Sequence, residues 1–125
     1  MSRPSGFASI LLCAALSAAS ASAQGPLGMA ELKALIAGKT IDYQSLSDGK
    51  YWRAYYENSG QLLVQRDDAL EFSGKWSVRA DGSHCHSFND EVCAKIEKNT
   101  DGSYMRIVNG VPAFKWLKIK PGKDF

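Results

Sequence analysis

The chain has 125 residues, 45% of them hydrophobic, with 15 basic against 13 acidic side chains. That near balance excludes a nucleic-acid partner held through its phosphates, which requires a clustered basic excess. The length excludes two ordinary domains.

The chain opens "MSRPSGFASILLCAALSAASASAQG". One positive charge at Arg3, an apolar run from Phe7 to Leu16 and small residues ending Ala21-Ser22-Ala23 are the three parts of a secretory signal peptide. Residues 1–23 are therefore expected to be removed before Gln24. The apolar run is about half the ~20 residues a membrane-spanning helix needs, and no transmembrane segment is predicted after it. Cys13 follows Leu12, where a lipoprotein signal needs a small residue, so no lipid anchor is expected. The single mature domain is then 24–125, periplasmic or secreted, in an oxidising compartment.

In that domain "GMAELKALIAG" is the one helical stretch, with Met29, Leu32, Leu35 and Ile36 on one face and Gly38 as a C-terminal cap. Beyond it, glycine turns recur at Asp48-Gly49, Ser59-Gly60, Asp81-Gly82, Asp101-Gly102 and Asn109-Gly110. Such pairs favour tight reversals. Around and between them lie eight short runs rich in aromatic and β-branched residues: "TIDYQSL", "KYWRAYYE", "QLLVQR", "EFSGKWSVR", "SHCHSFN", "VCAKIEKN", "YMRIV" and "VPAFKWLKIK". The pattern predicts a mainly β fold, an antiparallel meander of about eight strands forming a small barrel or curled sheet, with the short helix plugging one end. In the last run Phe114, Trp116 and Lys118 alternate with Lys115, Leu117 and Ile119.

The segments "LIAGKTIDY", "SDGKYWRAYYENSGQ", "FSGKWSVRADGSHC", "VCAKI" and "DGSYMRIVNG" together resemble a family of small exported proteobacterial domains of unknown function. The resemblance covers roughly residues 33 to 110 and implies a lipocalin-like β-barrel or curled sheet. It brings no catalytic residues with it.

Both histidines and two of the three cysteines lie in "SHCHSFNDEVC", residues 83–93. Alternation along a strand puts Ser83, Cys85 and Ser87 on one face and His84, His86 and Phe88 on the other. In the following strand Val92, Ala94 and Ile96 part from Cys93, Lys95 and Glu97. Matching polar face to polar face brings Cys85 beside Cys93 on the outside and turns His84 and His86 inward. A disulfide is expected, and closing that nine-residue loop is worth about 2.5 kcal/mol. Seven residues between the cysteines fit neither a thioredoxin-like redox pair nor a zinc finger. The two imidazoles could hold a metal only with a third ligand such as Met105, Asp90 or Glu91, and no metal or other cofactor is expected.

In "KYWRAYYE", Tyr51, Arg53 and Tyr55 share one face and Trp52, Ala54 and Tyr56 the other. Tyr51, Arg53 and Tyr55, together with His84, His86 and Trp116, are the candidate ligand or partner surface, because tyrosine, tryptophan and arginine dominate recognition patches. Trp76 is expected in the core. Ser45, Ser47 and Ser59 lack a nucleophile-elbow context, Asp67-Asp68 sits at an expected turn, and Glu57 and Glu71 have no evident partner. The expectation is a non-enzymatic binding module for a protein or cell-envelope component. The alternative is a carrier of a small apolar ligand, metal or haem inside the barrel.

Overall fold

A computed structural model describes residues 25–66 and 71–125. The expected signal peptide and the Asp67-Asp68 turn lie outside these residues. The fold is a closed barrel of eight antiparallel strands in sequence order, preceded by one short helix. Helix α1 is Met29–Ile36; the strands are β1 Lys39–Ser45, β2 Tyr51–Tyr56, β3 Gln61–Arg66, β4 Glu71–Val78, β5 His84–Ser87, β6 Glu91–Lys98, β7 Tyr104–Val108 and β8 Val111–Pro121.

Four of the described turns are built from local chemistry. Asp48, Asp81 and Asp101 each precede a glycine and accept, on Oδ1, the amide of the residue two positions on. Hydrogen bonds from the Ser103 hydroxyl and amide hold the Asp101 carboxyl down at about 2. Asn109 and Gly110 both have positive φ, 51° and 79°, which matches the twist of a two-residue hairpin between β7 and β8. Without any long connection, each strand pairs with the next and β8 closes on β1.

Helix α1 ends as expected. Gly38 follows the cap residue Ala37 with φ of 73° and passes its amide to the Tyr56 carbonyl at 2.7 Å. Leu32 and Ile36 are completely buried and join Ile41, Leu62, Val78 and Ile96 in the core. The helix thereby fills one end of the barrel. Trp76 packs against the same core, edge-on to Tyr56, and its ring N–H donates to the Glu57 carbonyl at 2.8 Å.

Two irregularities decide which way β8 faces. Against β1, Asp42 pairs with Lys118 but Tyr43 pairs with Trp116, so Leu117 is an extra residue. Strict alternation groups Ile119 with Lys115; the bulge reverses the phase, sends Leu117 to solvent and packs Ile119 against the core. Against β7, a similar shift makes Ala113 the extra residue.

Charged side chains on the outside pair with one another. Asp42 pairs with Arg53 and Lys120, Arg79 with Glu91, and Lys95 with Asp81. No described helix is long and apolar enough to cross a membrane.

Cys85 pairs directly with Cys93 in the β5–β6 register, their sulfurs at a bonding distance of 2.10 Å. Unreduced protein should therefore show no reactive thiol at either position. Cys93→Ser should lower stability by about 2.5 kcal/mol in urea unfolding; an unchanged midpoint would mean that the covalent link is not a staple.

Candidate functional site

Interior side chains from seven strands converge at the barrel end opposite α1, where they line a cavity of about 310 Å3. Its wall is an aromatic collar. Phe114 meets Tyr43 edge-on at 5.5 Å, Tyr43 stacks on Trp52 at 6.1 Å, Trp52 meets Phe72 at 5.8 Å, and Phe72 meets Phe88 at 5.1 Å. His86 closes the run beside Phe88 at 5.8 Å. Deeper, Tyr56 and Trp116 form the floor of the cavity.

Phe88 reaches its place because Gly74 leaves room for it. A Cβ on Gly74 would lie 2.4 Å from the Ser87 carbonyl oxygen and 2.6 Å from the Phe88 ring. Gly74→Ala is therefore expected to cost about 1–3 kcal/mol and to displace the collar. Thermal unfolding measures the first effect. The near-UV circular dichroism of the aromatic residues measures the second, and an unchanged spectrum would contradict the close packing.

Behind the collar is a charged group that the sequence reading passed over. Arg106, on β7, is 3% exposed and lines the cavity. Its Nε donates to His84 Nδ1 at 3.1 Å and its Nη2 to the Val92 carbonyl at 3.2 Å. Nη1 has no hydrogen-bond partner, and no carboxylate forms an ion pair with the guanidinium, among the described residues. Tyr43 and Tyr56 are the polar neighbours nearest in charge terms, but burial pushes both phenols far above their ordinary value, so they are neutral. An arginine keeps its proton even where burial lowers its affinity for it, as here.

Both histidines face inward as their alternation required. His84 is completely buried, and its ring lies edge-on to His86 at 4.9 Å and to Trp116 at 5.2 Å. Burial first, then the neighbouring His86 and Arg106, hold the His84 imidazole neutral far below its ordinary value. Burial and then Arg106 lower His86 to about 3. Because His84 Nδ1 accepts from Arg106, the proton of the neutral ring sits on Nε2, a buried donor without a partner among the described residues. Trp52 Nε1 is a second such donor, on a side chain that lines the cavity.

The third ligands considered for a metal are not brought to the imidazoles. Met105 pairs with Glu97 and Lys115 on the outer face, Glu91 lies outside beside the cystine and binds Arg79, and Asp90 is exposed in the loop.

The six residues expected to share one surface fall on two. His84, His86 and Trp116 belong to the interior. Tyr51 and Arg53 border an outer cleft of about 620 Å3 that also includes Asp42, Arg66, Leu117 and Lys118. In it Arg53 is held by Asp42 at 3.3 Å and by the Asp124 carbonyl at 3.1 Å, and the Arg66 guanidinium lies over the Trp52 ring at 5.4 Å. Tyr55 is on the same outer face of β2, half-buried and outside that cleft.

No protein-family model, curated protein or solved structure matches the chain. The barrel implied by the family resemblance is the fold observed, and the resemblance itself rests on its motifs alone.

Proposed function

We propose that this protein is a non-enzymatic carrier that holds a small, largely apolar molecule in the mouth of its barrel. The observation that supports it is the aromatic collar around a cavity of about 310 Å3. This volume is at the lower end of the roughly 300–1,000 Å3 typical of small-molecule sites, and apolar walls with a few fixed polar groups are their usual composition. The exported location rests on the leader-like residues 1–23 and agrees with a cystine on the outer wall.

Recognition of a protein or envelope component through the outer face is the second reading. It is favoured by the exposed Tyr51 beside the cleft, at 52% accessibility. The interior is preferred because Arg53, the arginine of that outer face, is engaged by its own chain.

A neutral fluorescent probe, N-phenyl-naphthylamine, tests the carrier reading. It should enter the cavity with enhanced emission and quench tryptophan fluorescence. Val92 lines the cavity at its rim and is 44% exposed, so Val92→Trp should block the mouth while changing stability by only about 0.5 kcal/mol. Probe binding that survives this substitution, or no probe binding to the parent protein, would contradict the reading.

A further inference from the structure

We propose that the occupant of the cavity is a small organic monoanion, a carboxylate on an aromatic or aliphatic body, anchored by Arg106. This deepens the carrier reading and rests on it. Three observations lead there.

The first is an unbalanced charge. Arg106 is buried in an apolar barrel with no carboxylate paired to it among the described residues, although a desolvated charge without a counter-charge is strongly unfavourable. A guanidinium in such a place that also borders a cavity has its missing partner supplied from the cavity. The second is the sign of the remaining polar groups. Trp52, whose side chain lines the cavity, carries a buried N–H without a partner among the described residues, and His84 fixes the guanidinium from behind as an acceptor. No acidic residue is among the described residues that line the cavity. The third is stoichiometry. With His86 held neutral by burial, the described lining carries one positive charge, which a monoanion balances and a dianion overshoots.

The collar sets the rest of the ligand. Ring faces and edges of Tyr43, Trp52, Phe72 and Phe114 make a slot for a flat or slender apolar body, and an inorganic anion would leave them in contact with water. A carboxylate reaching Nη1 of Arg106 would form a charge-assisted hydrogen bond, the strongest single contact available in the site.

The test uses three ligands of one shape: naphthalene carboxylate, its carboxamide and naphthyl phosphate, titrated at pH 7.5 against the mature protein by calorimetry. The carboxylate should bind about 10- to 100-fold more tightly than the carboxamide, the ratio expected for one charge-assisted contact. Arg106→Met should reduce that ratio to about twofold or less while retaining binding of the neutral N-phenyl-naphthylamine. Arg106→Lys should keep part of the preference. Should Arg106→Met fail to fold, the comparison within the parent protein and Arg106→Lys still decide. Equal binding of carboxylate and carboxamide would overturn the anchor and leave the carrier reading intact. Tighter binding of the phosphate than of the carboxylate would overturn the monoanion. Failure of all three naphthalene ligands and the neutral probe to bind would overturn both proposals.

Discussion

Removal of residues 111–125 should abolish cooperative unfolding and leave a chain without near-UV circular dichroism. Strand β8 is the only element bonded to both β1 and β7, so its loss opens the barrel and exposes two unpaired edges. It also removes Trp116, 2% exposed and in contact with Tyr56, His84 and Tyr104, together with Ile119. Loss of a buried tryptophan side chain alone costs about 3–5 kcal/mol against a typical total of about 5–15 kcal/mol. The residues after the strand are tied down as well. Thr40 donates to the Gly122 carbonyl at 2.6 Å and accepts the Asp124 amide at 3.0 Å, and Lys120 binds both Asp42 and Asp124. A truncated protein with the parent's unfolding midpoint would show this lysine-rich end to be a dispensable tail.

The strands and turns were legible because their signals are local. Each described Asp-Gly or Asn-Gly pair acts within three or four residues, and the matching of Cys85 to Cys93 needed only one short hairpin. The phase of β8 was not legible. Nothing in "FKWLKIK" marks Leu117 as the extra residue, because the bulge is set by simultaneous pairing to two strands. Arg106 shows a different failure. In "YMRIV" an arginine between Met105 and Ile107 reads as the solvent face, since burial of a guanidinium opposes ordinary patterning. The register contained the answer: Ile96 faces inward, the Asp101-Gly102 turn fixes Lys98 opposite Tyr104, and counting two residues along places Arg106 opposite Ile96. A residue that breaks binary patterning while the surrounding strands obey it is where function is to be sought. The candidate surface was half legible for the same reason. Alternation turned His84 and His86 inward and grouped Tyr51 with Arg53, but with aromatic residues on both faces of that strand it did not tell which face is outer, and so did not separate the two groups.

Acidification from pH 7 to pH 5 should destabilise the protein before any carboxylate is involved. His84 and His86 are neutral in the barrel, where burial and the Arg106 charge oppose protonation, whereas in the unfolded chain each takes a proton near its ordinary value of about 6.5. The unfolded state therefore binds more protons below that value. Stability is complete above about pH 7 and falls as the pH drops, by roughly 1.4 kcal/mol per pH unit for each histidine that stays neutral. With His86 lowered to about 3, its share between pH 6.5 and 5 is about 2 kcal/mol, and His84 adds in the same direction. The groups facing the pair strengthen the effect, since Arg106 on β7 repels a second positive charge and Tyr56 on β2 remains a neutral phenol. The turn carboxylates of Asp48, Asp81 and Asp101 are held below their ordinary value by hydrogen bonds from the Lys50 amide, from the Ser83 hydroxyl and amide, and from the Ser103 hydroxyl and amide, so they contribute only below about pH 4. Urea unfolding at pH 7, 6 and 5 measures the slope. Replacing both histidines by glutamine should flatten it, because glutamine in place of His84 can still accept from Arg106 and cannot take up a proton. A parent protein equally stable at pH 7 and pH 5 would mean that the imidazoles are charged or solvated, and the dry interior that gives Arg106 its role would be lost with them.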